Sequence, residues 1–546
     1  MKHYLRTHTN PPVFLISGIL VVAFVVWGVV APENVAAVAD QVQQFITTNF
    51  KWLYILAASG IVVFVIWLMF SRYARIRLGP ADSKPEYSTL AWFAMLFTAG
   101  MGIGLVFFAV SEPVSHFTAP PTGEAGTVEA SRNAMNYVFY HWGLHPWAIY
   151  IVVGLSLGYF AFRRGLPLRP ASALYPLIGE RIYGWIGHTV DILAVFGTLF
   201  GLATSLGLGG QQVGAGLNEV FGLENTTTLQ VIIVLAITAV AVTSVMLGID
   251  KGIRNLSLIN LWIAFALMLF VFFFGPTRTL LNSVATDIGS YIQSLPGMSF
   301  DTFPNNGNGT AKEWQANWTL FYWGWWISWS PFVGMFIARI SYGRTIRQFI
   351  TGALFAPVGA SMVWLGIFGE SALRTLLDDP NNALAEASDE TALFVLLEQL
   401  PVGKIIVTLS AIVAVIVVVL FFATSSDSGS LVVDILTNGG DPNPRWQQRL
   451  FWAILEGVVA AVLLIAGAAA GEDALTAVQT ASLTAGLPFC LVLIAMCVGL
   501  VRGLSTEAVD PPRAPEPAPL AGLRLASQHR HAATSSSEDT SGEDSS

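Results

Sequence analysis

Charge is the first thing this sequence lacks. Only 11% of its 546 residues are charged, where an ordinary soluble domain carries about a quarter. With 54% hydrophobic residues and a mean hydropathy of +0.62, the chain reads as an integral membrane protein before any motif is consulted. Cysteine is nearly absent. Cys490 and Cys497 lie seven apart in one apolar run and read as small core side chains on a helix face rather than a disulfide or metal pair. No Ser/His/Asp constellation, HExxH helix or phosphate loop occurs, so no enzyme chemistry is legible. The net charge of −8 rests largely on acids in a few loops and at the extreme C-terminus, and nothing invites nucleic acid.

Long apolar runs, by contrast, recur throughout. They fall near 12–31, 52–71, 88–111, 135–162, 188–217, 229–249, 254–275, 317–341, 347–370, 403–433, 449–470 and 474–502. That is about twelve spans at roughly 20 residues each. The first follows a basic MKHYLRTHTNPP and is too long for a signal-peptide core, so it reads as a retained helix. Basic residues cluster in alternate loops: Arg72, Arg75, Arg77 and Lys84; Arg163, Arg164, Arg169 and Arg181; Lys251 and Arg254; Arg339, Arg344 and Arg347; Arg445 and Arg449. The other loops are acidic or weakly charged. By the positive-inside rule both termini are expected in the cytoplasm of a bacterial inner membrane. Two amphipathic stretches, 279–295 and 390–400, should be extramembrane helices, and the Pro-, Ser- and acid-rich tail from 505 should be disordered.

Two spans carry interruptions. TAGMGIGLVFFAVSEP in the third has Gly100, Gly102 and Gly104 at its centre, and the eighth has Ser330, Pro331 and Gly334. Glycines alone also serve close helix packing. A matched pair of broken spans in two halves points instead to a carrier's binding site, because unwound backbone in a membrane must be satisfied by something. Aromatic rings stand beside both. FYWGWWISWSPFVGMF (321–336) holds Trp323, Trp325, Trp326 and Trp329, and HWGLHPWAIY holds Trp142, Trp147 and Tyr150. Trp142 and Tyr150, eight apart, share a helix face. Such rings attract a quaternary ammonium, which donates no conventional hydrogen bond. Interfacial belting explains Trp142 but not mid-span Trp326 and Trp329.

Three segments, GMGIGLVFFAVSEP, HWGLHPWAIY and FYWGWWISWSPFVGMFIARISYGRT, make the chain resemble the betaine/choline/carnitine transporters from about residue 10 to 505. The resemblance implies an all-α fold with a leucine-transporter-like five-plus-five inverted repeat preceded by two extra helices. That divides the chain into 1–86, a first repeat over 87–275, an outer helix and second repeat over 276–504, and a tail over 505–546. It also implies an aromatic box of Trp142, Trp147, Tyr150 and Trp326, with Trp325, Trp329, Met101, Gly102 and Gly104 adjoining and Phe336 on the inner pathway. Na⁺ would be held by Thr424 and Ser425 with backbone near Thr98 and Met101, and a second Na⁺ by Thr198, Thr204 and Ser205. Proton-coupled choline carriers of the family have Asp where this chain has Gly104, so a zwitterion is the expected substrate. The reading is a Na⁺-coupled importer of glycine betaine, often trimeric in the family. Ectoine, dimethylsulfoniopropionate or choline are its alternatives, and a channel or membrane sensor is the alternative of another class.

His141 and His145 stand four apart, but with no acid or third histidine near them in sequence their expected role is packing. Asp191, Glu370, Asp427 and Glu456 lie at or within spans, where helix pairing or gating is expected of them.

Overall fold

Backbone N–H and C=O groups find no water inside a bilayer, so a chain this apolar must satisfy them within helices. A computed structural model, which describes residues 9–507 apart from 101, 248–249, 305–309, 443–444 and 470–473, shows that it does. Seventeen helices have seven residues or more. They are α1 (Pro11–Val30), α2 (Pro32–Asn49), α3 (Lys51–Phe70), α4 (Thr89–Gly100), α5 (Ile103–Thr118) and α6 (Val128–Trp142). Then come α7 (Leu144–Gly158), α8 (Trp185–Phe221), α9 (Thr227–Leu247), α10 (Asp250–Phe274) and α11 (Thr277–Phe300). The last are α12 (Phe321–Arg339), α13 (Ile346–Asp378), α14 (Ala392–Glu398), α15 (Lys404–Thr437), α16 (Trp446–Ala469) and α17 (Ala474–Ser505). Among the described residues the only β pairing is an isolated bridge between Arg77 and Thr345. The chain is an all-α membrane protein. Residues 1–505 form one unit; the tail from 508 lies outside the described residues.

Ten helical stretches among the described residues are long and apolar enough to cross a membrane. The two remaining expected spans are the α4–α5 pair, split into pieces of 12 and 16 residues, and the 19-residue α12, whose tryptophans and serines lower its hydropathy. Burial sorts the spans. The α6–α7 stretch is 89% buried and α8 78%, whereas α1 and α10 are 28% buried and turn their side chains outward. The core therefore gathers around α5 to α8, α12, α13 and α16.

The expected amphipathic helices are α11 and α14. A third was not foreseen: residues 32–49, read as a loop, form α2. Proline at its first position and Val35, Val38, Val42 and Ile46 at helical spacing carry the signal, and Val35, Ala36 and Ile46 are buried. Of the acids at or within the spans, two pair with arginines. Asp191 meets Arg169 at 2.9 Å and Asp427 meets Arg449 at 2.7 Å. Glu370 faces Asp287 of the outer helix α11, where burial first and Glu370 second push the Asp287 carboxyl well above the usual carboxylate range. Glu456 is buried beside Ser426 and Asp427.

Candidate functional site

The third span breaks where its glycines predict. α4 ends at Gly100 and α5 begins at Ile103, with Gly102 extended at φ −123° and ψ −176°. The need for glycine is also steric. A Cβ on Gly104 would stand 2.4 Å from Cη2 of Trp325 and 3.0 Å from that of Trp142. Across the cleft, Gly201 of α8 lets Trp329 pack on its backbone, where a Cβ would meet the indole at 3.2 Å. Trp325 Nε1 donates to the Gly201 carbonyl at 3.2 Å, which fixes that indole between α8 and α5.

The eighth span does not break. α12 runs as one helix through Ser330 and Pro331, correcting the expectation of an interruption there. The reason is local. Proline has no N–H, so the carbonyl four residues back, that of Ile327, loses its helical partner. Ser330 Oγ donates to that carbonyl at 2.7 Å and stands in for the missing donor. The irregularity lies instead at the helix entry, where residues 316–320 form a π turn.

On this frame the rings converge. Trp142, Trp147, Tyr150, Trp325, Trp326 and Trp329 line one narrow cleft with Gly102, Gly104, Leu105, Pro146 and Ser361, and their rings close on a cavity of about 20 Å³. Trp142 meets Trp326 edge to face at 4.9 Å, and Trp147 meets Tyr150 at 5.6 Å and 87°. Tyr150 stands 6.3 Å from both Trp326 and Trp329. Trp325 stacks on Trp326 at 4.6 Å. All four residues expected to form the box are thus brought together, with Trp325 and Trp329 as its neighbours. The Tyr150 hydroxyl and the Trp329 Nε1 are buried without a protein partner.

Behind the box stands a polar hub that sequence reasoning missed. Glu112 of α5 is fully buried. Its Oε2 accepts from Trp142 Nε1 at 2.7 Å and from the Tyr322 hydroxyl at 2.5 Å. Its Oε1 lies 2.7 Å from His141 Nδ1 and 3.3 Å from His116 Nε2. The His141 carbonyl accepts from Trp326 Nε1 at 2.9 Å. Glu112 therefore holds one box wall directly and stands one residue behind the anchor of another. His141 does meet an acid and a second histidine, contrary to the sequence reading. His145 does not join them; it stacks on Trp323 at 4.9 Å. The available signal was a glutamate at the end of the third apolar run, as AVSEP shows, since such a residue must be paired.

Comparison with known proteins decides what kind of protein carries this cleft. Residues 12–509 match the profile of the BCCT, betaine/carnitine/choline family transporter. A probable glycine betaine transporter of Desulfitobacterium hafniense (strain Y51) is 42% identical over 499 residues, 91% of this chain and 97% of the relative. Glycine betaine transporter OpuD of Bacillus subtilis (strain 168) is 43% identical over 512 residues, covering 92% and 98%. Osmo-dependent choline transporter BetT2 of Acinetobacter baylyi (strain ATCC 33305 / BD413 / ADP1) is 41% identical over 509 residues, covering 92% and 72%. The chain belongs to the betaine/carnitine/choline transporter family. It is a multi-pass membrane transporter and not an enzyme.

The residues matched to this family's ion positions are less uniform than the box. Thr98 and Met101 lie outside the described side chains. Thr424 Oγ1 donates to the carbonyls of Leu420 and Phe421 at 2.8 and 3.2 Å, and Ser425 is half-buried beside it. A hydroxyl that donates keeps its oxygen lone pairs, so Thr424 remains a possible oxygen ligand. On α8, Thr204 bonds Ser482 of α17 at 2.6 Å and the Phe200 carbonyl at 2.9 Å, while Ser205 bonds the Gly201 carbonyl at 3.3 Å. Thr198 Oγ1 is buried without a partner. Phe336 is half-buried near the end of α12 and does not line the cleft.

Proposed function

We propose that this transporter imports a zwitterionic quaternary ammonium solute, glycine betaine in the first place, together with Na⁺ by alternating access. The observation that carries the reading is the convergence of Trp142, Trp147, Tyr150 and Trp326 on one cleft. Three methyl groups around a cationic nitrogen leave only ring faces to recognise, each worth about 0.5–2 kcal/mol once water is excluded. The substrate's carboxylate meets the donors that the same cleft leaves over: backbone N–H groups freed around Gly100–Gly104, the Tyr150 hydroxyl and the Trp329 N–H. Gly104 puts no carboxylate beside the box, which favours a substrate that brings its own. The printed names of two relatives, at 42% and 43% identity, support betaine, and that of a third, at 41%, keeps choline as the competitor.

Na⁺ coupling rests on Thr424 and Ser425 with backbone near Thr98 and Met101, and on Thr198, Thr204 and Ser205 for a second ion. These are hydroxyl and carbonyl oxygens, the ligands a hard cation takes. The five-plus-five repeat, the homotrimer and cytoplasmic termini belong to the same proposal and follow the family resemblance and the distribution of loop arginines. Purified protein in liposomes tests it. Betaine uptake should collapse when K⁺ replaces external Na⁺, and equal uptake would sink the coupling. Trp326→Leu should weaken betaine binding about tenfold or more, in line with the loss of one desolvated cation–π wall. Unchanged affinity in a tryptophan-fluorescence titration would refute the box.

A further inference from the structure

Among the described residues, one group of three metal-type side chains converges: Glu112, His116 and His141, all fully buried, with one ligand atom from each within 4.8 Å of the others. It stands apart from the onium cleft, on the far side of Trp142, near the end of α5 and under the rings of Trp314 and Trp318, each 4.8 Å from His116. We propose that these three side chains form a binding site for a divalent transition metal of the Zn²⁺ class, tying α5 to α6 behind the aromatic box.

The donor set suits such an ion. Two imidazoles and a carboxylate are borderline ligands that Zn²⁺ takes in a tetrahedral arrangement, whereas Mg²⁺ and Ca²⁺ prefer oxygen alone. At metal–ligand distances of about 2.0–2.1 Å, tetrahedral donors stand roughly 3.3 Å apart. His116 Nε2 already lies 3.3 Å from Glu112 Oε1. His141 Nδ1, at 2.7 Å from the same oxygen, needs to retreat by about half an ångström. A supporting contact is in place at His141. A metal-bound histidine is usually oriented through its other ring nitrogen, and His141 Nε2 lies 3.0 Å from Thr319 Oγ1. The Thr319 hydroxyl can donate or accept, so His141 can pass its proton from Nδ1 to Nε2 when Nδ1 takes the metal, without losing that bond. Glu112 Oε2 is held by Trp142 and Tyr322, which leaves Oε1 for the ion. The fourth position falls to water.

The test uses the full chain without a histidine tag, in nanodiscs and stripped with EDTA. Zn²⁺ should raise its melting temperature, Mg²⁺ should not, and EDTA should reverse the shift. Co²⁺ should give the strong visible absorption of a tetrahedral N/O site. His116→Ala should weaken the ion at least about a hundredfold, and Thr319→Val, which leaves all three ligands, by about ten- to a hundredfold. The metal-free melting temperature and gel-filtration profile report whether each variant is folded. No Zn²⁺ shift in the wild type, an equal shift with Mg²⁺, or a Zn²⁺ shift unchanged in both folded variants would overturn the site.

Discussion

Glu112 shows at the scale of one residue how the box gets its shape. Four donors or donor-capable groups meet its two oxygens: His116, His141, Trp142 and Tyr322. A carboxylate accepts from all of them, and a carboxamide cannot, because one of its two heads is itself a donor. Glu112→Gln, with its amide group toward the histidines, should therefore force both rings to their other tautomers and leave the His116 Nδ1–H buried without an acceptor, at about 1–3 kcal/mol. Because Trp142 and the His141–Trp326 anchor depend on that side chain, the betaine dissociation constant should rise roughly tenfold or more. Fluorescence titration of the folded variant checks it; a lowered melting temperature with unchanged affinity would make Glu112 a packing residue only. The rings themselves were legible in the sequence, since Trp142, Trp147 and Tyr150 lie within nine residues of one another and Trp326 sits in a recognisable segment. The hub was not legible. Glu112 is 29 residues from His141 and 210 from Tyr322, and only the packing of α5 against α6 and α12 brings them together.

Helices were the readable unit of this chain, because a membrane makes hydrophobic length a sufficient signal. All twelve expected spans correspond to helices or, at α4–α5 and α6–α7, to a broken pair. The reading went wrong where polarity or proline masked a local solution. α2 lies where Glu33 and Asp40 suggest a loop, although its apolar residues recur at helical spacing. Pro331 suggests a break because it has no N–H, and the Ser330 hydroxyl that repairs the defect is a contact no periodicity reveals. That repair can be measured. Ser330→Ala should orphan the buried Ile327 carbonyl and cost about 1–3 kcal/mol of stability. Adding Pro331→Ala returns a backbone N–H to the same carbonyl, so the double variant should recover most of the loss. Thermal melting of the two single variants and the double one gives the coupling energy directly. Additive losses would mean that the serine stabilises α12 for some other reason.

At the scale of the whole molecule the cleft, the proposed sodium ligands and the membrane have to act as one device, and the membrane voltage reads out how many charges they move. Each elementary charge carried inward gains about 2.3 kcal/mol per 100 mV, which is a factor of about fifty in the concentration ratio it can sustain. A zwitterion adds no charge of its own. A carrier that takes betaine with two Na⁺ therefore moves two charges per cycle, and one that takes choline with two Na⁺ moves three. In liposomes with a clamped potential and no Na⁺ gradient, the steady-state betaine ratio should rise about 2,500-fold per 100 mV if both sodium positions are used. A fifty-fold rise would leave only one ion, pointing to whichever of the Thr424/Ser425 and Thr198/Thr204/Ser205 groups proves dispensable on substitution. No voltage dependence with betaine would sink sodium symport altogether. A dependence about fifty-fold steeper with choline than with betaine would show both solutes using the same cycle with the same number of ions. The number is set by charge alone, so it separates the ion count from the strength of substrate recognition in the box.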